Sequence, residues 1–65
     1  MISFQPLFIT LIKLNMTKTQ LRQKVGFSSA TLAKMSKNEY VSMEVIDGIC
    51  RTLDVPIEAV IEYKK

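Results

Sequence analysis

Apolar residues recur every three or four positions in short stretches, and residues suited to start or stop a helix bound each stretch. Leu7, Leu11 and Leu14 recur at i, i+4 and i+7 with Ile12 beside them, which predicts a helix over residues 5–14. Ser3 is its candidate cap, Pro6 suits its first turn, and Asn15 suits the left-handed position after it. Met16 then turns inward. Leu21 and Val25 share one face of a second helix, 18–25, opened by Thr17 and Gln20 in capping-box spacing and closed by Gly26. Phe27 precedes Ser28, which caps a third helix, 29–36, with Leu32 and Met35 as its inner stripe. Asn38 is expected at positive φ in the turn that follows. Ser42 caps a fourth helix, 43–53, in which Ile46, Ile49, Cys50 and Leu53 form a stripe that Met43 extends. Gly48 interrupts that helix, and close packing of a neighbouring helix is one reason for it. Pro56 opens a last helix, 57–62, whose Ile57, Val60 and Ile61 close the core, with Lys64 and Lys65 fraying beyond it. The expected fold is all-α: five short helices, no strand, one domain over residues 1–65.

Phe8 and Ile9 do not fit the stripe of the first helix. Either that helix is buried on two sides, by core or end packing, or the pair forms an exposed apolar patch that serves as a dimer contact.

Composition narrows the classes. With 65 residues and 48% apolar content, the chain suits one small, compact domain. One cysteine and no histidine leave no disulfide framework and no structural zinc site, and fit a reducing, cytoplasmic setting. Cys50 reads as a core thiol. No nucleophile stands beside a base, and no Gly-rich phosphate loop or metal cluster occurs, so neither an enzyme nor a cofactor is expected. The run from Leu7 to Leu14 is too short to span a membrane and lacks the basic start and cleavage site of a signal peptide.

Charge changes the picture most. Between Lys13 and Lys37 the chain carries Lys13, Lys18, Arg22, Lys24, Lys34 and Lys37 and no acid. Between Glu39 and Glu62 it carries six acids, with Arg51 the lone cation. A one-signed stretch can simply keep a protein soluble. Laid over two helices joined at Gly26, it becomes the footprint of a surface that binds the phosphate backbone.

Thr17-Lys18-Thr19-Gln20-Leu21, then Gly26, then Ser28-Ser29-Ala30-Thr31-Leu32, then Leu53-Asp54-Val55 resemble the phage-repressor-like (Cro-type, XRE) helix-turn-helix domain. The resemblance implies a five-helix, lambda-repressor-like domain that binds double-stranded DNA as a transcriptional regulator of repressor type. The third helix would enter the major groove. Ser29, Ala30 and Lys34, with Ala33 beside them, match base-reading positions. Thr17, Lys18, Ser28, Lys37 and Asn38 match positions facing phosphates. The chain departs from the family pattern at Arg22, Ser36, Asn38 and Asp54. One long reader, Lys34, is few for one half-site, so a homodimer on two half-sites is expected. The competing reading is a protein-interaction module of the same fold, antitoxin-like or anti-repressor. No small-molecule ligand is indicated.

Overall fold

The structure is a computed structural model and describes residues 1–65. The chain order is β1 (Ile2–Ser3), α1 (Gln5–Lys13), α2 (Lys18–Val25), α3 (Ser29–Ser36), α4 (Met43–Leu53), a 3-10 turn (Ile57–Ala59) and β2 (Glu62–Tyr63). The predominantly helical class is as expected, but there are four α-helices rather than five, and one two-stranded sheet.

Local signals account for the starts and stops of the middle helices. At α2 the Thr17 N–H donates to Gln20 Oε1 at 2.8 Å and the Gln20 N–H to Thr17 Oγ1 at 3.0 Å, a complete capping box. Gly26 closes α2 at φ 95°, its N–H donating to Arg22 O at 2.8 Å. Ser28 Oγ accepts the Thr31 N–H at 3.1 Å, and Ser42 Oγ accepts the Val45 N–H at 3.3 Å. Asn15, Asn38 and Asp54 take the left-handed positions after α1, α3 and α4, with φ of 56°, 58° and 54°. After α3 the Asn38 N–H reaches Met35 O at 3.1 Å and the Glu39 N–H reaches Lys34 O at 2.8 Å, the paired bonds of a Schellman turn.

The core consists of Phe4, Leu7, Leu11, Leu21, Phe27, Met35, Ile46, Ile49 and Val60. Leu32, Val25, Met16, Cys50, Leu53 and Ile61 pack against it, half-buried. Gly48 faces α2 closely: a Cβ there would stand 3.0 Å from Val25 Cγ1. The glycine thus lets α4 seat against the first helix of the central pair.

Four apolar expectations fail. Leu14 is exposed because α1 already ends at Lys13 and Asn15 turns the chain away. Ile12 points off the α1 face carrying Leu7 and Leu11, and is exposed. Met43 is exposed at the first position of α4, outside the stripe of Ile46 and Ile49. Ile57 is exposed as well, while Val60 is fully buried.

The predicted last helix is replaced by the 3-10 turn and β2. Helical bonding begins, with the Ile61 N–H on Ile57 O at 3.0 Å, but goes no further. Instead Thr10 Oγ1 donates to Ala59 O at 2.8 Å, and the Leu7 N–H reaches Val60 O at 3.2 Å as well as Phe4 O at 3.0 Å. These bonds hold the segment against α1, and beyond it the chain extends. Antiparallel β2 then sets Tyr63 opposite Ile2 and Glu62 opposite Ser3. Lys64 does not fray: its N–H donates to Met1 O at 2.7 Å and its Nζ to Gln5 Oε1 at 2.9 Å. Ser3 sits in β1, not at the N-cap, which is Phe4, yet its Oγ still accepts the Gln5 N–H at 3.1 Å.

Candidate nucleic-acid interface

The α2–Gly26–α3 unit is held from below and bare above. Leu21, Phe27 and Met35 anchor it in the core. Ser29, Ala30, Ala33 and Lys34, the expected base-reading residues, are all exposed on α3. The side chains are short along this face except for Lys34, so a neighbouring surface can approach the helix closely. Thr17, Lys18, Ser28 and Lys37 are exposed too, whereas Asn38 is half-buried.

Electrostatics leave this region open to an anion. The single ion pair joins Arg51 to Asp47, both on α4. None of the six cations between Lys13 and Lys37 is paired with an acid of this chain. The Ser29 and Ala30 N–H groups lie in the first turn of α3, where no intrahelical acceptor exists. Ser28 Oγ is committed to the Thr31 N–H and lies 3.1 Å from Thr31 Oγ1, so its cap is a local network. Thr17 Oγ1 accepts from Gln20, which leaves its hydroxyl proton free to donate.

Two features were not visible in the residue pattern. The Lys18 ammonium lies 4.4 Å from the centre of the Phe8 ring, a cation–π contact that ties α2 to α1 and fixes where that charge stands. Phe8 is therefore half-buried beneath a residue of the basic region, while Ile9 next to it is exposed. The second feature is Asn38, whose Oδ1 accepts the Phe4 N–H at 2.9 Å. Its left-handed backbone could be anticipated from residue type. Its tertiary bond, across a sequence separation of 34 residues, could not.

Cys50 is half-buried, and burial, with the charges of Asp47 and Glu58, pushes its thiol above the usual range. It remains protonated at neutral pH, as a packing thiol should. No group of three or more His, Cys, Asp or Glu residues is placed to hold a metal ion. No helix is long and apolar enough to cross a membrane.

The crystal structure of transcriptional regulator VanUg superposes with a TM-score of 0.91 and 41% sequence identity, covering 94% of this chain and 81% of that one. No curated protein sequence matches. The profile of the Cro/C1-type HTH DNA-binding domain matches residues 7–65, nearly the whole sequence, and the chain belongs to that family.

Proposed function

We propose that this DNA-binding domain is a sequence-specific transcriptional regulator, acting as a repressor, that lays α3 in the major groove of duplex DNA. One observation carries the reading. The exposed face of Ser29, Ala30, Ala33 and Lys34 is small apart from one lysine, and lies in a region whose cations have no partner within the chain.

The work divides in two. Lys18, Lys37, Thr17, Ser28 and the free N–H groups at the start of α3 set position on the phosphates. Each phosphate neutralised contributes about 0.9 to the slope of log affinity against log salt. Lys34 donates to guanine O6 and N7, Ala30 packs on a thymine methyl, and Ser29 accepts or donates with little preference. So sparse a reading surface gives one copy weak discrimination. A homodimer on two half-sites about 34 Å apart restores it. Repression then follows from occupancy, since a domain seated on a promoter excludes other proteins from it.

The test is selection of bound duplexes from a random pool, with the wild-type chain and with Lys34→Ala. The expected result is relaxed preference at one base position, at a cost of about 1–3 kcal/mol for the preferred base. A uniform loss across sequences would make Lys34 a phosphate contact. Absence of any salt-dependent affinity for duplex DNA would overturn the reading in favour of a protein partner.

A further inference from the structure

We infer that a second copy of this chain docks in the apolar groove between the β1–β2 ribbon and the start of α4. This rests on the homodimer proposed above and gives it a surface.

The groove is a cavity of about 330 Å³ lined by Ile2, Phe4, Tyr40, Val41, Met43, Ile46 and Ile61, all apolar or aromatic. Tyr40 and Met43 rise from its rim, 79% and 65% exposed. Tyr63 is 72% exposed and stands directly opposite Ile2 in the ribbon, hence on the same face of the sheet. Met1, also exposed, shares a neighbouring hollow with Ile2 and Tyr40. The patch is therefore continuous, and it holds both the hollow and the protruding side chains that could fill one. That self-complementarity is what a two-fold interface requires.

Size points the same way. Large aromatic side chains carry about 150–250 Å² each and a methionine somewhat less, so Tyr40, Tyr63, Met1 and Met43, each mostly exposed, present on the order of 500 Å² of largely apolar surface. That lies near the top of the roughly 300–600 Å² of the largest patch on an ordinary monomer. Counted on both copies it reaches the ~1,000 Å² expected of a specific interface. The Cα body measures 31 × 23 × 18 Å. Two such bodies are small enough to sit side by side on adjacent half-sites about 34 Å apart.

The groove also connects to the reading helix. Tyr40 follows closely on the turn that ends α3, and Phe4, in the groove wall, donates its N–H to Asn38 in that turn. Docking here fixes where each copy's α3 stands relative to the other's. The α1 patch is a poorer seat. Phe8 lines its cavity together with Thr17 and Lys18, both assigned to phosphate, and Ile9 faces a hollow whose wall is mostly polar or charged.

Sedimentation equilibrium of the full chain tests this, alone and on a random-sequence duplex long enough for two half-sites. The variants are Met43→Glu, Tyr40→Glu and, on α1, Ile12→Glu. All three positions are exposed, and a glutamate at 43 falls at a helix start that favours it, so folding is kept and is checked by thermal melting. Expected is a reversible wild-type dimer that Met43→Glu and Tyr40→Glu each weaken about tenfold or more, with Ile12→Glu changing it by less than about twofold. A dimer broken by Ile12→Glu but not by the other two overturns this surface and leaves the homodimer standing. A wild-type chain that stays monomeric both free and on DNA overturns the surface and the homodimer together. Salt-dependent DNA binding by that monomer would still leave the DNA reading intact.

Discussion

The α2–Gly26–α3 unit and the segment from Asp54 to Lys65 are both short, and both contribute to one core through Leu21, Phe27 and Met35 on one side and Val60 on the other. They are specified differently. The first is built from bonds that span three or four residues: the Thr17–Gln20 box, the Ser28 cap and the Gly26 stop. The second takes its shape from α1 and β1, through Thr10 to Ala59, Leu7 to Val60 and the Lys64–Met1 pairing. The contrast suits the work of each. If α3 reads DNA as proposed, its unit must keep its form while its outer face is given over to the duplex, so that form cannot depend on contacts made by that face.

Removing the core anchor should produce the largest effect. Leu21 is fully buried under the reading unit. Leu21→Ala is expected to cost about 2–5 kcal/mol. A chain of this length has only about 3–10 kcal/mol in all, so the variant should melt far lower or fail to fold. A loss under about 1 kcal/mol by urea denaturation would mean that the local bonds alone sustain the unit.

The same contrast explains what could be read in advance. Thr17, Gln20, Gly26, Ser28, Asn38 and Ser42 act on residues within a few positions, so residue type and spacing reveal them. The exposure of Ser29, Ala30, Ala33 and Lys34 followed, because they are what remains when the Leu32–Met35 stripe is turned inward. The end of the chain resisted because Val60 and Ile61 suit a helix stripe and a strand equally well. What decides between them is distant in sequence: the bonds from α1 to Ala59 and Val60 and the pairing of β2 with β1. The bed of Phe8 beneath Lys18 and the Asn38–Phe4 bond have the same origin: each joins elements that are distant in sequence.

Two threonines sharpen the comparison at the scale of about 1 kcal/mol. Thr17→Ala removes a cap and should cost about 0.5–2 kcal/mol. Thr10→Val removes the donor to Ala59 at nearly constant shape and should cost about 0.5–1.5 kcal/mol. Their signatures should differ under native-state hydrogen exchange. Thr17→Ala should speed exchange in α2, and Thr10→Val in the ribbon, leaving α2 and α3 protected. Equal loosening of both regions by either variant would erase the distinction drawn here.

Asn38 ties the end of α3 to the start of α1, and its replacement separates a positioning role from phosphate binding. We expect Asn38→Asp to keep stability within about 0.5 kcal/mol, since a carboxylate still accepts the Phe4 N–H. Asn38→Gly keeps the left-handed backbone but strands that N–H, for a net loss of about 1 kcal/mol. A residue that only positions α3 leaves the salt slope of DNA binding unchanged in both. A phosphate contact would instead show Asn38→Asp weakening every duplex about equally.

One expected change is a gain. Asp54 closes α4 at φ 54°, a conformation that costs a residue with a Cβ about 1–2 kcal/mol relative to glycine. Its exposed side chain makes no hydrogen bond or ion pair that would offset this. Glycine gives back part of the gain through the greater freedom of its unfolded chain. Asp54→Gly should therefore stabilise the domain by about 0.5–1 kcal/mol, seen as a higher urea midpoint at constant slope. DNA affinity should not move, because the substitution lies in the region shaped by distant contacts, and none of the assigned contact residues touches that turn. A change in affinity as large as the change in stability would show that the two regions are coupled, and that the reading unit is less self-contained than its bonds imply.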